Sequence, residues 1–153
     1  MSQELTIRRE PADSEPAEVL IGELDAELAE RYPHLAIHGL HPGEAQDPKL
    51  IFLIARIGNE PAGCGALRPL DETRVEVKRM FVRPAFRGRG LGEAILEALE
   101  REGREAGYDT LLLETGTRQP EALALYRKAG YTEREPFGEY LGNPFSVCMT
   151  KKC

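Results

Sequence analysis

The chain lacks the sequence features that would place it in a membrane, outside the cell or on nucleic acid. No apolar run approaches the roughly 20 residues that a membrane-spanning helix requires. Its first residues are not a basic segment followed by an apolar one, as a secretory signal would be. Acidic residues outnumber basic ones, 26 to 20, so the broad basic surface that nucleic-acid binding requires is missing. We therefore expect neither a membrane nor a nucleic-acid partner.

Cysteine is also scarce. The three cysteines, Cys64, Cys148 and Cys153, show neither the spacing of a metal site nor the even number of a disulfide framework. We expect Cys64 and Cys148 to be buried as small apolar residues and Cys153 to be exposed. No base stands beside any of them in the sequence, which argues against a covalent thiol mechanism. Free thiols indicate a reducing, cytoplasmic location.

The remaining composition is that of a soluble globular protein. With 153 residues, 41% of them hydrophobic and 30% charged, the chain suits one domain, residues 1–153, with a buried core. Hydrophobic periodicity predicts three or four antiparallel strands, followed by strand, helix, strand, helix and strand. This order predicts an α+β, or mixed α/β, fold with helices on both faces of the sheet. Strands are expected over residues 4–9, 50–57, 62–70, 74–82, 110–115 and 145–150 and from residue 131, and helices over residues 17–30, 90–106 and 120–129.

The most informative stretch is residues 75–92, where an apolar strand leads through a basic, glycine-rich turn into a helix. The first N–H groups of a helix have no intrahelical partner, and the helix dipole favours negative charge there. Glycines allow a phosphate to approach the backbone, and Arg87 and Arg89 add positive charge. The turn therefore predicts a phosphate-bearing ligand, with a plain strand-to-helix turn and solvated arginines as the alternative. Neither the P-loop nor the dinucleotide-binding spacing is present.

The spacing Arg87-x-x-Gly90-x-Gly92 resembles the coenzyme-A-binding motif of the GNAT N-acetyltransferase superfamily. A second block, residues 119–131, is similar to that family's pattern Asn-x-x-Ala-x-x-x-Tyr, which ends in glycine and an aromatic residue. The resemblance covers about residues 50–149. It implies a mostly antiparallel mixed sheet that splays apart between its fourth and fifth strands. It also implies transfer of an acetyl group from acetyl-CoA to a primary amine without a metal, and allows a homodimer.

By this resemblance, acetyl-CoA is held by a strand end, the turn and the start of a later helix. The backbone of Phe81 and Val82 would pair with the pantetheine arm, and the N–H groups of residues 87–92 would hold the pyrophosphate. Gln119 takes the place of the family's asparagine. The expected cofactor-binding residues are Met80, Phe81, Val82, Arg87, Gly88, Arg89, Gly90, Leu91, Gly92 and Gln119.

Two residues are candidates for proton transfer. Glu76 matches the strand glutamate that many family members use as a general base. Its alternative role is that of a strand residue that faces solvent or pairs with Lys78 or with an arginine on a neighbouring strand. Tyr126 matches the family tyrosine that lies near the coenzyme sulfur and can protonate a departing thiolate. Its alternative role is that of a helix tyrosine packed in the core.

The acceptor site is expected to involve Arg31, Tyr32, His38 and Tyr140. The first three belong to the irregular segment 31–48, which covers the acceptor pocket in the family and contains all three histidines. A metal site formed by those histidines is disfavoured, because Gly39 and Pro42 would interrupt the helix that aligns them. The acceptor is expected to be a small molecule. A protein or peptide amine, or acyl-CoA binding without turnover, are the alternatives.

Overall fold

The computed structural model describes residues 4–33 and 43–153. This part of the chain forms a sheet of seven strands in the spatial order β1-β2-β3-β4-β5-β7-β6. Neighbouring strands are antiparallel except β4 and β5, which run parallel. The strands are Leu5–Arg9 (β1), Ile51–Ile57 (β2), Glu60–Pro69 (β3), Arg74–Val82 (β4), Thr110–Gly116 (β5), Thr132–Arg134 (β6) and Ser146–Lys152 (β7).

Three α-helices cover the two faces of this sheet in the described part of the chain. They are Glu15–Arg31 (α1), Leu91–Glu105 (α2) and Pro120–Lys128 (α3). On one face, Leu20 and Leu24 of α1 share a core cluster with Phe52 and Ile54 of β2. On the other face, α2 and α3 pack over a larger apolar cluster that includes Leu53 of β2. The prediction of helices on both faces is therefore confirmed, and β2 is covered on both of its faces.

Local sequence explains where α1 begins. Ser14 caps it, with its hydroxyl accepting a hydrogen bond from the N–H of Ala17 at 3.3 Å, and Pro16 occupies the first turn. The helix therefore starts at Glu15, two residues before the predicted bound. Within the described residues, no helix is both long and apolar enough to cross a membrane.

The sheet splays apart between β4 and β5. The two strands pair from Arg74↔Thr110 to Val77↔Leu113. Beyond these pairs β4 remains paired with β3, and β5 with β7. The predicted separation of the fourth and fifth strands is confirmed. The edge of β4 that faces the gap therefore offers backbone groups to a ligand.

A bulge interrupts β4 just past the point of separation. Cys64 pairs with Phe81 but Ala66 pairs with Lys78, so β4 has one residue more than β3 across this stretch. Arg79, at the bulge, has a φ of 57°, which is rare for a residue with a side chain. Such a conformation persists only where the surrounding structure enforces it. The bulge redirects the end of β4 beside the gap.

Candidate active site

A cavity opens where β4 and β5 separate. It is lined by both strands, by α1 and α3, and by the turn before β7. Glu76 and Lys78 line it from the α1 face of the sheet, because Val75 and Val77 point into the opposite core under α2. Tyr126 of α3 lines it from the α2 side. The cavity therefore joins the two faces of the sheet.

Glu76 is fully buried in the cavity wall. Its Oε1 accepts a hydrogen bond from Arg68 Nη2 at 2.6 Å, and its Oε2 accepts one from the Tyr140 hydroxyl at 2.6 Å. Lys78 Nζ lies 3.9 Å from Oε2. Arg68 faces Glu76 across β3 and β4, which is the pairing with a neighbouring strand that the sequence allowed as the alternative role. Glu76 is thus both at the cavity and ion-paired.

Tyr140, one of the predicted acceptor-site residues, lines the cavity. It is 2% exposed, and its hydroxyl accepts a hydrogen bond from Lys78 Nζ at 3.0 Å. Burial, and then the charge of Glu76, raise the pKa of Tyr140, so it remains a protonated donor at neutral pH. Burial lowers the pKa of Lys78, whose ammonium also lies 3.4 Å from Glu139.

A second carboxylate, Glu114 of β5, lines the same cavity. Its Oε2 accepts a hydrogen bond from the Ser146 hydroxyl on β7 at 2.6 Å. Burial raises the pKa of Glu114 to about 7, although the Ser146 hydrogen bond and the charge of Lys78 oppose the shift. Near neutral pH this carboxylate can therefore take up and release a proton.

Tyr126 lies on the α2 side of the cavity and is 6% exposed. Its ring packs edge-on against Tyr131, with 5.8 Å between the centroids, and Tyr131 donates a hydrogen bond to Glu100 at 2.8 Å. Burial raises the pKa of Tyr126, so its hydroxyl remains protonated. The ring is fixed by packing while the residue borders the cavity, which suits a proton donor.

The predicted phosphate turn has an open geometry. Gly90 is the N-terminal cap of α2 with a φ of 78°, and no side chain caps the helix there. Gly88 has a φ of 81°, and neither glycine has any atom within 4 Å of the place a Cβ would occupy. The first-turn N–H groups of α2 are therefore accessible to an anion. These residues fit the pyrophosphate of coenzyme A.

The two arginines of this turn have different surroundings. Arg87 Nε donates to the carbonyl of Val82 at 2.8 Å, and Arg87 Nη2 lies 3.0 Å from Glu27 Oε1 on α1. Its own N–H donates to Pro84. Arg87 therefore braces the turn against β4 and α1. Arg89 is exposed, with its guanidinium 5.5 Å from the centre of the Phe86 ring.

Gln119 precedes α3 and lines the cavity. Its side-chain oxygen accepts a hydrogen bond from the Gly116 N–H at 3.1 Å, which fixes the amide beside the gap.

Tyr32, predicted at the acceptor site, also lines the cavity, and its hydroxyl accepts a hydrogen bond from the Arg118 N–H at 2.9 Å. A Cβ on Gly116 would lie 1.8 Å from the Tyr32 hydroxyl, so any larger residue here would displace Tyr32.

One further polar group supports a ligand in the gap. Thr115 of β5 lines the cavity, and its buried hydroxyl has no hydrogen-bond partner among the described residues. Buried polar groups normally have partners, so this hydroxyl suits a polar atom of a bound molecule. Together with the open backbone edge of β4, it fits an amide-bearing arm between the strands.

Two predicted acceptor-site residues are not brought to the cavity by the described structure. Arg31 is not part of the cavity lining; it pairs with Glu27 on its own helix at 3.8 Å and with Glu121 of α3 at 3.6 Å. His38 lies outside the described residues, as do His34 and His41.

The predicted states of the cysteines are confirmed: Cys64 and Cys148 are buried and Cys153 is exposed.

The fold and the site agree with the family match. The chain belongs to the acetyltransferase (GNAT) family, whose model matches residues 10–131. A relative from Azospirillum brasilense, named IAA acetyltransferase, is 43% identical over 148 residues, which are 96% of this chain and 97% of the relative. An N-acetyltransferase of Bacillus subtilis that bears the name YsnE is 37% identical over 78% of this chain and 81% of its own length.

Solved structures show the same architecture. An acyl-CoA N-acyltransferase of Klebsiella pneumoniae is 36% identical to this chain, with a TM-score of 0.81 over 97% of both chains. A GNAT family acetyltransferase of Elizabethkingia anophelis, solved with acetyl-CoA bound, has a TM-score of 0.70 over 97% of this chain and 98% of its own. At 21% identity, that second likeness concerns the fold alone.

Proposed function

We propose that the protein transfers an acetyl group from acetyl-CoA directly to the primary amine of a small molecule. The observation that carries this proposal is the cavity between β4 and β5, which has carboxylates on one face of the sheet and Tyr126 on the other. The name of the Azospirillum relative, which aligns over nearly its whole length, supports a small-molecule acceptor.

In this proposal, the pyrophosphate of acetyl-CoA is held by the N–H groups of the turn before α2. The pantetheine arm follows the backbone of Phe81 and Val82, near Gln119 and Thr115. The cofactor supplies an activated acetyl thioester. The chain's own contribution is to hold that thioester between β4 and β5 and to orient the amine towards it.

The amine must lose a proton before it can act as a nucleophile, because an ammonium has no free electron pair. Tyr126 remains the proposed donor to the departing sulfur. The role of Glu76 as general base stays a prediction, and the two donors on its carboxylate compete with an incoming ammonium. A carboxylate on the α1 face is suited to this task, because acid–base groups must lie within hydrogen-bond reach of the proton.

Thiol release from acetyl-CoA across a panel of amines tests the proposal. We expect release that depends on one class of small amine, with controls that omit the amine or the enzyme. The enzyme-free and amine-free controls also account for reaction with the protein's own cysteines. Flat traces across the panel, with acetyl-CoA still bound in calorimetry, would contradict the proposal and favour a protein acceptor or binding without turnover.

A further inference from the structure

Two carboxylates line the cavity on the same face of the sheet. Glu76 lies between Val75 and Val77, which point into the core under α2. Glu114 follows Leu113, which points into that core as well. Since side chains alternate along a strand, both carboxylates lie on the α1 face, at the strands' point of separation. Either is placed to meet an amine that approaches from that face.

The two carboxylates differ in the number of hydrogen bonds that their oxygens already accept. Glu76 has no exposed surface, and each of its oxygens accepts a 2.6 Å hydrogen bond. Glu114 is half-buried, and Ser146 donates to its Oε2. Among the described residues, Glu114 Oε1 accepts no hydrogen bond. Glu114 therefore offers an oxygen to a donor in the cavity, whereas Glu76 already has a donor on each oxygen.

We propose that Glu114 removes the proton from the ammonium group of the acceptor, a role that rests on the proposed acetyl transfer. Glu76 is then a positioning residue that holds Arg68 and Tyr140 in the wall. The pKa of Glu114, which burial raises to about 7, matches this task at neutral pH.

Acetyl transfer to an ammonium requires that nitrogen lose two protons and that sulfur gain one. The ammonium gives one proton to Glu114 Oε1, and Glu114 later releases it to solvent. The freed amine nitrogen forms a bond with the acetyl carbon, and the bond from that carbon to sulfur breaks. The nitrogen gives its second surplus proton to solvent, the leaving sulfur receives a proton from Tyr126, the proposed donor, and Tyr126 regains a proton from solvent. The products are an acetamide, the free thiol and one proton in solution.

Several charged or titratable groups interact with Glu114, and Ser146, Lys78, Glu76 and Glu139 shift its pKa. Lys78 and the Ser146 hydroxyl favour the ionised form of Glu114, whereas burial favours the protonated form. The charged or titratable groups that interact with Glu114 are Glu76 and Lys78 on β4, Glu139 and Tyr140 in the turn before β7, Cys148 on β7, Tyr32 after α1 and Tyr126 on α3.

The first test is the pH dependence of kcat at saturating acetyl-CoA and amine. We expect the wild type to lose activity as the pH falls through about 7, the pKa to which burial raises Glu114. Glu114→Gln should remove this acidic limb and lower kcat at neutral pH by roughly 100-fold, the lower range of general-base contributions. Glu76→Gln should retain the limb. Glu72→Gln, at an exposed residue of the turn before β4, is the matched control and should behave as the wild type.

Ser146→Ala tests whether Glu114 acts as the base. If Glu114 had a purely structural role, this substitution would not move the acidic limb of the pH dependence of kcat. Loss of the Ser146 hydrogen bond should raise the pKa of Glu114 further, so the acidic limb should move to higher pH. Carbon-13 NMR of side-chain carboxyl groups should show the same displacement in the protein without acetyl-CoA. The signal that titrates near pH 7 should be absent from Glu114→Gln.

The outcomes separate the two proposals. A limb that persists in Glu114→Gln, with no NMR signal titrating near neutral pH, overturns the role of Glu114 but leaves acetyl transfer intact. A wild-type protein that binds acetyl-CoA but releases no thiol with any amine overturns both. Glu76→Gln removes the buried partner of Arg68 and should therefore reduce stability. The displacement of the acidic limb in Ser146→Ala identifies Glu114 as the base without that variant.

Discussion

The Tyr140 hydroxyl donates a 2.6 Å hydrogen bond to Oε2 of Glu76, joining the turn before β7 to the middle of β4 across 64 residues of sequence. Glu76 is fully buried and Tyr140 is 2% exposed, so this bond is shielded from bulk solvent. The contact fixes one wall of the cavity. It also makes the shape of that wall depend on a short turn far away in the chain.

Tyr140→Phe should lower the free energy of unfolding by about 1–3 kcal/mol, because a buried carboxylate oxygen loses its donor. Chemical denaturation would measure the change. Tyr108→Phe, at a partly buried tyrosine outside the cavity, should change stability less. Equal losses in the two variants would mean that the hydrogen bond contributes little beyond ordinary packing.

Gly116→Ala should distort the acceptor side of the cavity, because the added Cβ would lie 1.8 Å from the Tyr32 hydroxyl. We expect Tyr32 to move, KM for the amine to rise, and the free energy of unfolding to fall by about 1–3 kcal/mol. Gly22→Ala is the control: it lies on α1 with no atom within 4 Å of the added Cβ, and an exposed helix position should gain about 0.5–1 kcal/mol. An unchanged amine KM in Gly116→Ala would argue against Tyr32 as part of the acceptor site.

Gly90→Ala should weaken acetyl-CoA binding. At a φ of 78° an alanine is strained, so the turn would shift from its open geometry. Gly107→Ala, with a φ of 94° just after the same helix, carries similar strain away from the turn. Both should lose about 1 kcal/mol of stability. Calorimetry with acetyl-CoA should show a rise in Kd on the order of tenfold for Gly90→Ala alone; an equal rise in both variants would place the pyrophosphate elsewhere.

Tyr126→Phe should lower kcat by roughly 100-fold if the hydroxyl protonates the departing sulfur. The ring contact with Tyr131 is retained, so unfolding should change little. Steady-state kinetics with denaturation curves on the same preparation would separate the two effects. A wild-type kcat in this variant would remove Tyr126 from the mechanism.

The ionisation of Glu114 should appear in stability as well as in rate. Its pKa in the folded protein is about 7, above its ordinary 4.5, so the folded state retains the proton to higher pH than the unfolded state. The stability contributed by protonated Glu114 is therefore complete below about pH 4.5 and is lost as the pH rises to 7. Over this window, Glu114→Gln should gain about 1–3 kcal/mol relative to the wild type. Denaturation at several pH values would measure it, and parallel curves would contradict the raised pKa.

Local patterns allowed much of the fold to be predicted. Strand β4 has the predicted bounds, 74–82, and α2 begins and ends within one residue of its predicted bounds. The apolar periodicity of each element and the glycines between and after them indicate where these elements begin and end. The glycine-rich turn could be predicted because its chemistry resides in consecutive residues. Its open geometry at Gly88 and Gly90 agrees with that prediction.

The α1 side of the cavity was much harder to predict. Arg68 contacts Glu76 only because of the register between β3 and β4. Nothing in the local sequence predicts the bulge at Arg79. Glu114 follows three leucines, so its strand reads as uniformly buried. Its hydrogen-bond donor, Ser146, lies 32 residues later, on a strand whose place in the sheet no local pattern determines.

Strand β7 is the last strand in the described chain, yet it lies between β5 and β6. During synthesis, β6 is made before the strand with which it pairs, and Ser146 emerges from the ribosome after Glu114. Pairings distant in sequence form late because loop closure costs entropy before contacts repay it. We therefore expect a nascent chain stalled before residue 146 to have its first four strands and α2 in place but no complete cavity. The cavity would become complete only after β7 has been synthesised and has paired with β5.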